Sequence, residues 1–122
     1  MRCSCGEGRR HIDCDGGCGC IYVYDENSCV CECFDSVSSV RMSLSGATRV
    51  NVSIAGLPLG QVATLFDRLL ARDVLVPASR VQKKVRLKLE DVSLAGALNQ
   101  LGLSTQKPAG PPKPVTRSKR TK

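Results

Sequence analysis

The sequence predicts an α+β fold: a small βαββα sandwich in which two helices cover a short sheet, preceded by a cysteine-rich β-hairpin unit. Three observations carry that prediction. A hydrophobic pattern in the middle of the chain recurs at an offset of 35 residues. Each copy passes from period-2 alternation, the mark of a half-buried strand, into helical spacing. All eight cysteines lie between Cys3 and Cys33, so a thiol-rich head precedes a thiol-free body.

In the repeat, apolar positions 50, 52, 54, 57, 59 and 62 align with 85, 87, 89, 92, 94 and 97. Both copies read as strand, turn, helix. The first helix is expected from about Pro58 to Ala71, with Pro58 tolerated in the first turn and Leu59, Val62, Leu65, Phe66, Leu69 and Leu70 forming one apolar stripe. In the second copy Ser93 is a natural N-cap, Leu94, Ala97, Leu98 and Leu101 form the stripe, and Gly102 ends the helix. Between the copies Val74–Val76 is a short apolar strand stopped by Pro77, and a weak last strand fits near Leu103. The chain thus divides into a head (1–35), a linker (36–48), the βαββα unit (49–106) and a tail (107–122).

Within the head, the runs from Cys18 to Tyr24 and from Cys29 to Phe34 flank Asp25-Glu26-Asn27-Ser28 and read as a hairpin. The expected register sets Tyr24 opposite Cys29, Tyr22 opposite Cys31 and Cys20 opposite Cys33. Alternation then gathers Cys18, Cys20, Cys29, Cys31 and Cys33 on one face and Ile21, Val23, Val30 and Phe34 on the other. The second face suits docking onto a neighbouring unit.

The thiols admit two chemistries. Cys3, Cys5, Cys14, Cys18, Cys20, Cys29, Cys31 and Cys33 are candidate ligands for zinc, enough for two four-thiolate sites or a bridged cluster, with His11 a possible replacement ligand. The spacing matches no standard zinc finger and no usual ferredoxin run. The alternative is up to four disulfides. Residues two apart on a strand point in parallel, so members of a Cys-x-Cys group must find distant mates, and Cys20 with Cys33 is the best pair in the expected register. Dense cysteine in a reducing cytosol favours metal, and in an oxidising compartment disulfides.

Charge is unevenly placed. The head carries three basic and seven acidic residues, the segment 36–106 nine and four, and the tail six and none, so the net +7 belongs to the body and tail. Arg80, Lys83, Lys84, Arg86 and Lys88 crowd around the strand at Val85–Leu89 and form a basic outer face. Such charges blunt edge-to-edge aggregation, and they also suit phosphates or an acidic protein surface. Without interleaved aromatics they make no base-stacking platform. The tail is proline-rich and then basic, a composition expected to be disordered with some polyproline II character.

The pattern Val50-x-Val-x-Ile-x-x-Leu-Pro-Leu-x-x-Val, Phe66-x-x-Leu-Leu, Asp73-Val-Leu-Val-Pro, then Val85-x-Leu-x-Leu-x-x-Val-Ser-Leu-x-x-Ala-Leu resembles the secretin and TonB short N-terminal domain over about residues 49–103. The resemblance implies a non-enzymatic module that docks with partner proteins in the bacterial periplasm, with no catalytic residues. The cysteine head is no part of that pattern. No apolar run is long enough to span a bilayer, and no apolar signal segment opens the chain, which at face value places it in the cytoplasm.

One histidine, no Ser–His–acid set and no phosphate-binding glycine loop leave catalysis little to stand on. The expected function is a protein-interaction or adaptor module with a structural cysteine-rich head. The alternatives are a zinc-dependent nucleic-acid-binding protein that uses the basic strand and tail, and a thiol sensor or store for metal.

Overall fold

The computed structural model describes residues 1–6, 10–36 and 39–105. Its elements in chain order are β1 (Arg2–Ser4), β2 (His11–Asp13), β3 (Cys18–Val23), β4 (Ser28–Cys33), β5 (Arg49–Pro58), α1 (Leu59–Leu70), β6 (Val74–Leu75), β7 (Lys84–Ser93), α2 (Leu94–Leu101) and β8 (Ser104–Thr105). The α+β class is as expected. The main sheet is antiparallel, in the order β4-β3-β5-β7, while β1 pairs with β2 and β6 with β8 in separate two-stranded ladders.

The cysteine-rich hairpin is part of this main sheet. β3 lies along β5 from Cys18 opposite Ala55 to Val23 opposite Val50, so the ladder runs without a break from head to body. Ile21, Val23 and Val30 then share one core with Val50, Val52 and Ile54 beneath the apolar stripes of α1 and α2. Gln61 on α1 fastens the far end of β4. Its amide donates to the Cys33 carbonyl at 2.8 Å and to a Glu32 carboxylate oxygen at 3.1 Å, and its oxygen accepts from the Asp35 N–H.

The 35-residue repeat is obeyed by the hydrogen bonds as well as by the apolar residues. At the start of α1 the Leu59 and Gly60 N–H groups donate to the carbonyls of Lys83 and Val81; at the start of α2 the Leu94 and Ala95 N–H groups donate to Thr48 and Gly46. These donors have no partner inside their own helix, and each copy satisfies them from the chain ahead of the other copy's strand. The β5–β7 ladder is symmetric in the same sense, since Val50 opposite Val92 becomes Val85 opposite Leu57, with a register shift near each end. At those shifts Gly56 and Asp91, again 35 apart, both adopt positive φ, +83° and +52°. The two copies are related by a local two-fold axis through the β5–β7 pair.

Several local expectations are corrected. Pro58 is the N-cap of α1 with extended ψ, not a residue of its first turn, and the helix closes at Ala71 in the left-handed region. The strand at Val74 does not enter the main sheet but pairs with β8. Ser93 caps α2 as expected, its Oγ accepting from the Gly96 N–H at 3.0 Å, and Gly102 closes that helix with φ +73°. Gly17 is obligatory for packing, because a Cβ there would lie 2.2 Å from the Gly56 carbonyl oxygen.

Candidate functional site

The hairpin register fixes where the sulfurs go. Tyr22 stands opposite Cys29, Cys20 opposite Cys31 and Cys18 opposite Cys33, two residues from the expected pairing. The cause is the turn. Asn27 adopts φ +48° and donates its N–H to the Tyr24 carbonyl, so the loop is centred one residue earlier than expected. Tyr24 leaves the strand, stacks edge-on to Tyr22 at 5.1 Å and donates its hydroxyl to Asn51. A shift of two preserves the faces, which is why the five thiols still lie together. Phe34, expected on the apolar face, is exposed in the turn after β4, with the Lys84 ammonium 5.2 Å from its ring.

β1 and β2 cover that thiol face as a third layer, and four disulfides are formed. Cys3–Cys18, Cys5–Cys29 and Cys14–Cys33 bolt the layer to β3 and β4, while Cys20–Cys31 joins the two strands of the hairpin. No bond falls within a Cys-x-Cys group. The intrahairpin bond joins directly opposed residues with Cα atoms 4.1 Å apart, near the ~4.5 Å of a non-hydrogen-bonded pair. Cys20–Cys33, the expected partners, are replaced by Cys20–Cys31 because of the register, and Cys33 is taken by Cys14.

Cys3, Cys5, Cys14, Cys18, Cys20 and Cys31 are buried with Tyr22, and Cys29 and Cys33 pack against them. The layer is a second small core. Its chain end is tied in as well, since the Met1 ammonium donates to the Cys14 carbonyl and the Cys14 N–H returns to Met1, both at 2.7 Å. An exposed Arg2–Asp13 pair spans β1 and β2 at 2.8 Å and holds the Asp13 carboxyl below its ordinary range.

Four of the eight sulfurs, those of Cys5, Cys20, Cys29 and Cys31, all lie within 4.8 Å of one another, a grouping that could hold a metal ion. They belong to two neighbouring disulfides, and thiolates become available as ligands only when those bonds are reduced. His11 is outside this group; its Nε2 lies 3.9 Å from Asp13 on the exposed side of β2.

The basic residues divide between structural and open roles. Arg80 turns to the end of α2, where Nη2 donates to the Leu101 carbonyl at 3.1 Å, a helix C-terminal contact and not part of an outer face. Lys83 precedes the strand. Lys84, Arg86 and Lys88 stand exposed on β7, with Val85, Leu87 and Leu89 half-buried between them. Lys88 pairs with Glu90 at 3.9 Å, both well exposed. A cleft between the end of β1 and the β5–β7 pair is lined by Ser4, Cys5, Gly6, Asn51, Ser53 and Lys88, among others. The tail from Lys107 onward lies outside the described residues.

Two contributors escaped the sequence reading. Asn51 accepts from both the Tyr24 hydroxyl and the Asp91 N–H, tying the hairpin to β7, and Gln61 clamps β4. Nothing in an alternating strand or an apolar helical stripe distinguishes such polar residues, because their partners are distant in sequence. No family model matches this chain, and no curated protein or solved structure matches it either.

Proposed function

We propose that this chain is a non-enzymatic protein-interaction module of the kind used in bacterial envelopes and secretion systems, with the cysteine layer as its structural cap. The observation that carries the reading is the outer strand β7. It offers exposed Lys84, Arg86 and Lys88 beside half-buried Val85, Leu87 and Leu89, a mixed polar and apolar surface of the sort proteins bury against one another. Two arguments support it. The duplicated strand–helix pattern resembles the secretin and TonB short N-terminal domain, whose members dock with partner proteins. A layer held by four disulfides suits an oxidising compartment such as the periplasm.

The test is a photo-crosslinking residue placed in the full chain at Arg86 on β7 or at Asn99 on the exposed side of α2, in the cells that make the protein. Protein adducts from Arg86 and none from Asn99 are expected. Adducts to nucleic acid alone, or none, would overturn the reading.

A second reading is favoured by the Cys5, Cys20, Cys29 and Cys31 grouping. With these thiols reduced, the head binds zinc, and the protein acts as a metal sensor or store, or contacts nucleic acid through β7 and the tail. In the nucleic-acid case affinity falls steeply with salt, in proportion to the phosphates contacted.

A further inference from the structure

The geometry points to an unfilled strand position on the outer edge of β7 that accepts an extended peptide segment whose side chains alternate between apolar and acidic. This rests on the interaction-module reading and names how the partner is held.

The local two-fold axis supplies the argument. It maps β5 onto β7, and the outer edge of β5 is occupied by β3 over six residues. The equivalent edge of β7 pairs with no strand among the described residues. Burial records the difference. Val50, Val52 and Ile54 of β5 are 0%, 1% and 2% exposed, whereas their repeat equivalents Val85, Leu87 and Leu89 are only half-buried. The same apolar positions thus lack on β7 the cover that β3 provides on β5. An added strand would supply main-chain hydrogen bonds along the edge and bury these side chains, the usual basis of recognition by strand addition.

The symmetry also gives the register. β3 sets Val23 opposite Val50, Ile21 opposite Val52 and the small Gly19 opposite Ile54. Carried over by 35 residues, the incoming strand runs antiparallel to β7 with apolar residues opposite Val85 and Leu87 and a small one opposite Leu89. Its intervening residues fall opposite Arg86 and Lys88, where carboxylates fit, and the one at Lys88 would enter the cleft beside Ser53. Charge decides among occupants. A second copy pairing through β7 would bring Lys84, Arg86 and Lys88 against themselves, and cross-strand like charges destabilise. The tail carries six basic residues and no acidic one. The segment therefore belongs to an acidic partner protein.

The test uses the full-length oxidised protein and three synthetic peptides: an eight-residue alternating Val/Glu peptide, its Val/Lys counterpart, and the Val/Glu peptide with two central prolines. Binding is read by fluorescence anisotropy and by hydrogen exchange of the β7 amides. The Val/Glu peptide is expected to bind and to slow exchange along β7, and the other two are not. Reversing the charges in a double variant, Arg86→Glu with Lys88→Glu, should weaken Val/Glu binding roughly tenfold, as two cross-strand pairs turn repulsive, and should admit the Val/Lys peptide. Unchanged thermal unfolding of that variant establishes that it folds.

Binding without β7 protection, equal binding of the proline peptide, β7 protection caused by self-association in sedimentation, or no binding would each overturn the proposal. Protein adducts from Arg86 together with failure of the peptide would sink strand addition and leave the interaction-module reading standing. No adducts at all would remove both.

Discussion

Ala71 closes α1 in the left-handed region with φ +55°, a conformation that costs an L-residue about 1–2 kcal/mol and glycine far less. Gly102 does the same duty for α2 without that cost. Ala71→Gly is therefore expected to stabilise the protein by about 0.5–1 kcal/mol after the extra chain entropy of glycine is counted, raising Tm by a few degrees in a thermal melt. Asp67 on the same helix is a second lever. Burial raises its pKa above 3.8, outweighing the Val74 N–H that its carboxylate accepts. Because the folded state holds this proton more tightly, the stabilising contribution is fully present below 3.8 and is lost as pH rises through the raised folded value. Urea unfolding across acid pH should show this decline in the parent and not in Asp67→Asn, which keeps an oxygen to accept from Val74.

At the scale of elements, most of the architecture is written in spacing. The periodicity of β5, α1, β7 and α2 and the cap at Ser93 were legible because each depends on neighbours a few residues away. Ser93→Ala should cost about 1 kcal/mol in chemical denaturation, since the Gly96 N–H loses its acceptor near the start of a helix of only eight residues. The hairpin was legible as a pair of faces but not as a register. Alternation specifies the faces but not the centre of the loop, which Asn27 in the left-handed region and Tyr24 leaving the strand for Asn51 move one residue earlier. The attachment of β3 to β5 was foreshadowed by an apolar face seeking a neighbour, yet edge-on joining into one sheet depends on a pairing across some thirty residues. Composition does not encode it.

For the whole molecule, helices, main sheet and the disulfide-anchored β1–β2 ladder form three layers, with one hydrophobic core above the sheet and a sulfur-rich one below it. Disulfides of this kind commonly contribute about 2–4 kcal/mol each, and three of the four anchor two strands of three residues each that bury little apolar surface of their own. In this arrangement the disulfides stabilise, and the contact surface we propose on β7 is a separate feature of the sheet edge. The sequence left metal and disulfide chemistry open because Cys-x-Cys groups serve both, and spacing alone cannot say which sulfurs meet. Above all, the eight cysteines hold one another. Intact mass of protein purified without added metal, before and after reduction and alkylation, tests it directly, with peptide mapping of the unreduced form. The expected result is no metal, a mass lower by the eight hydrogens that four disulfides give up, and the pairs Cys3–Cys18, Cys5–Cys29, Cys14–Cys33 and Cys20–Cys31. Bound zinc with cysteines that alkylate without reduction would contradict it.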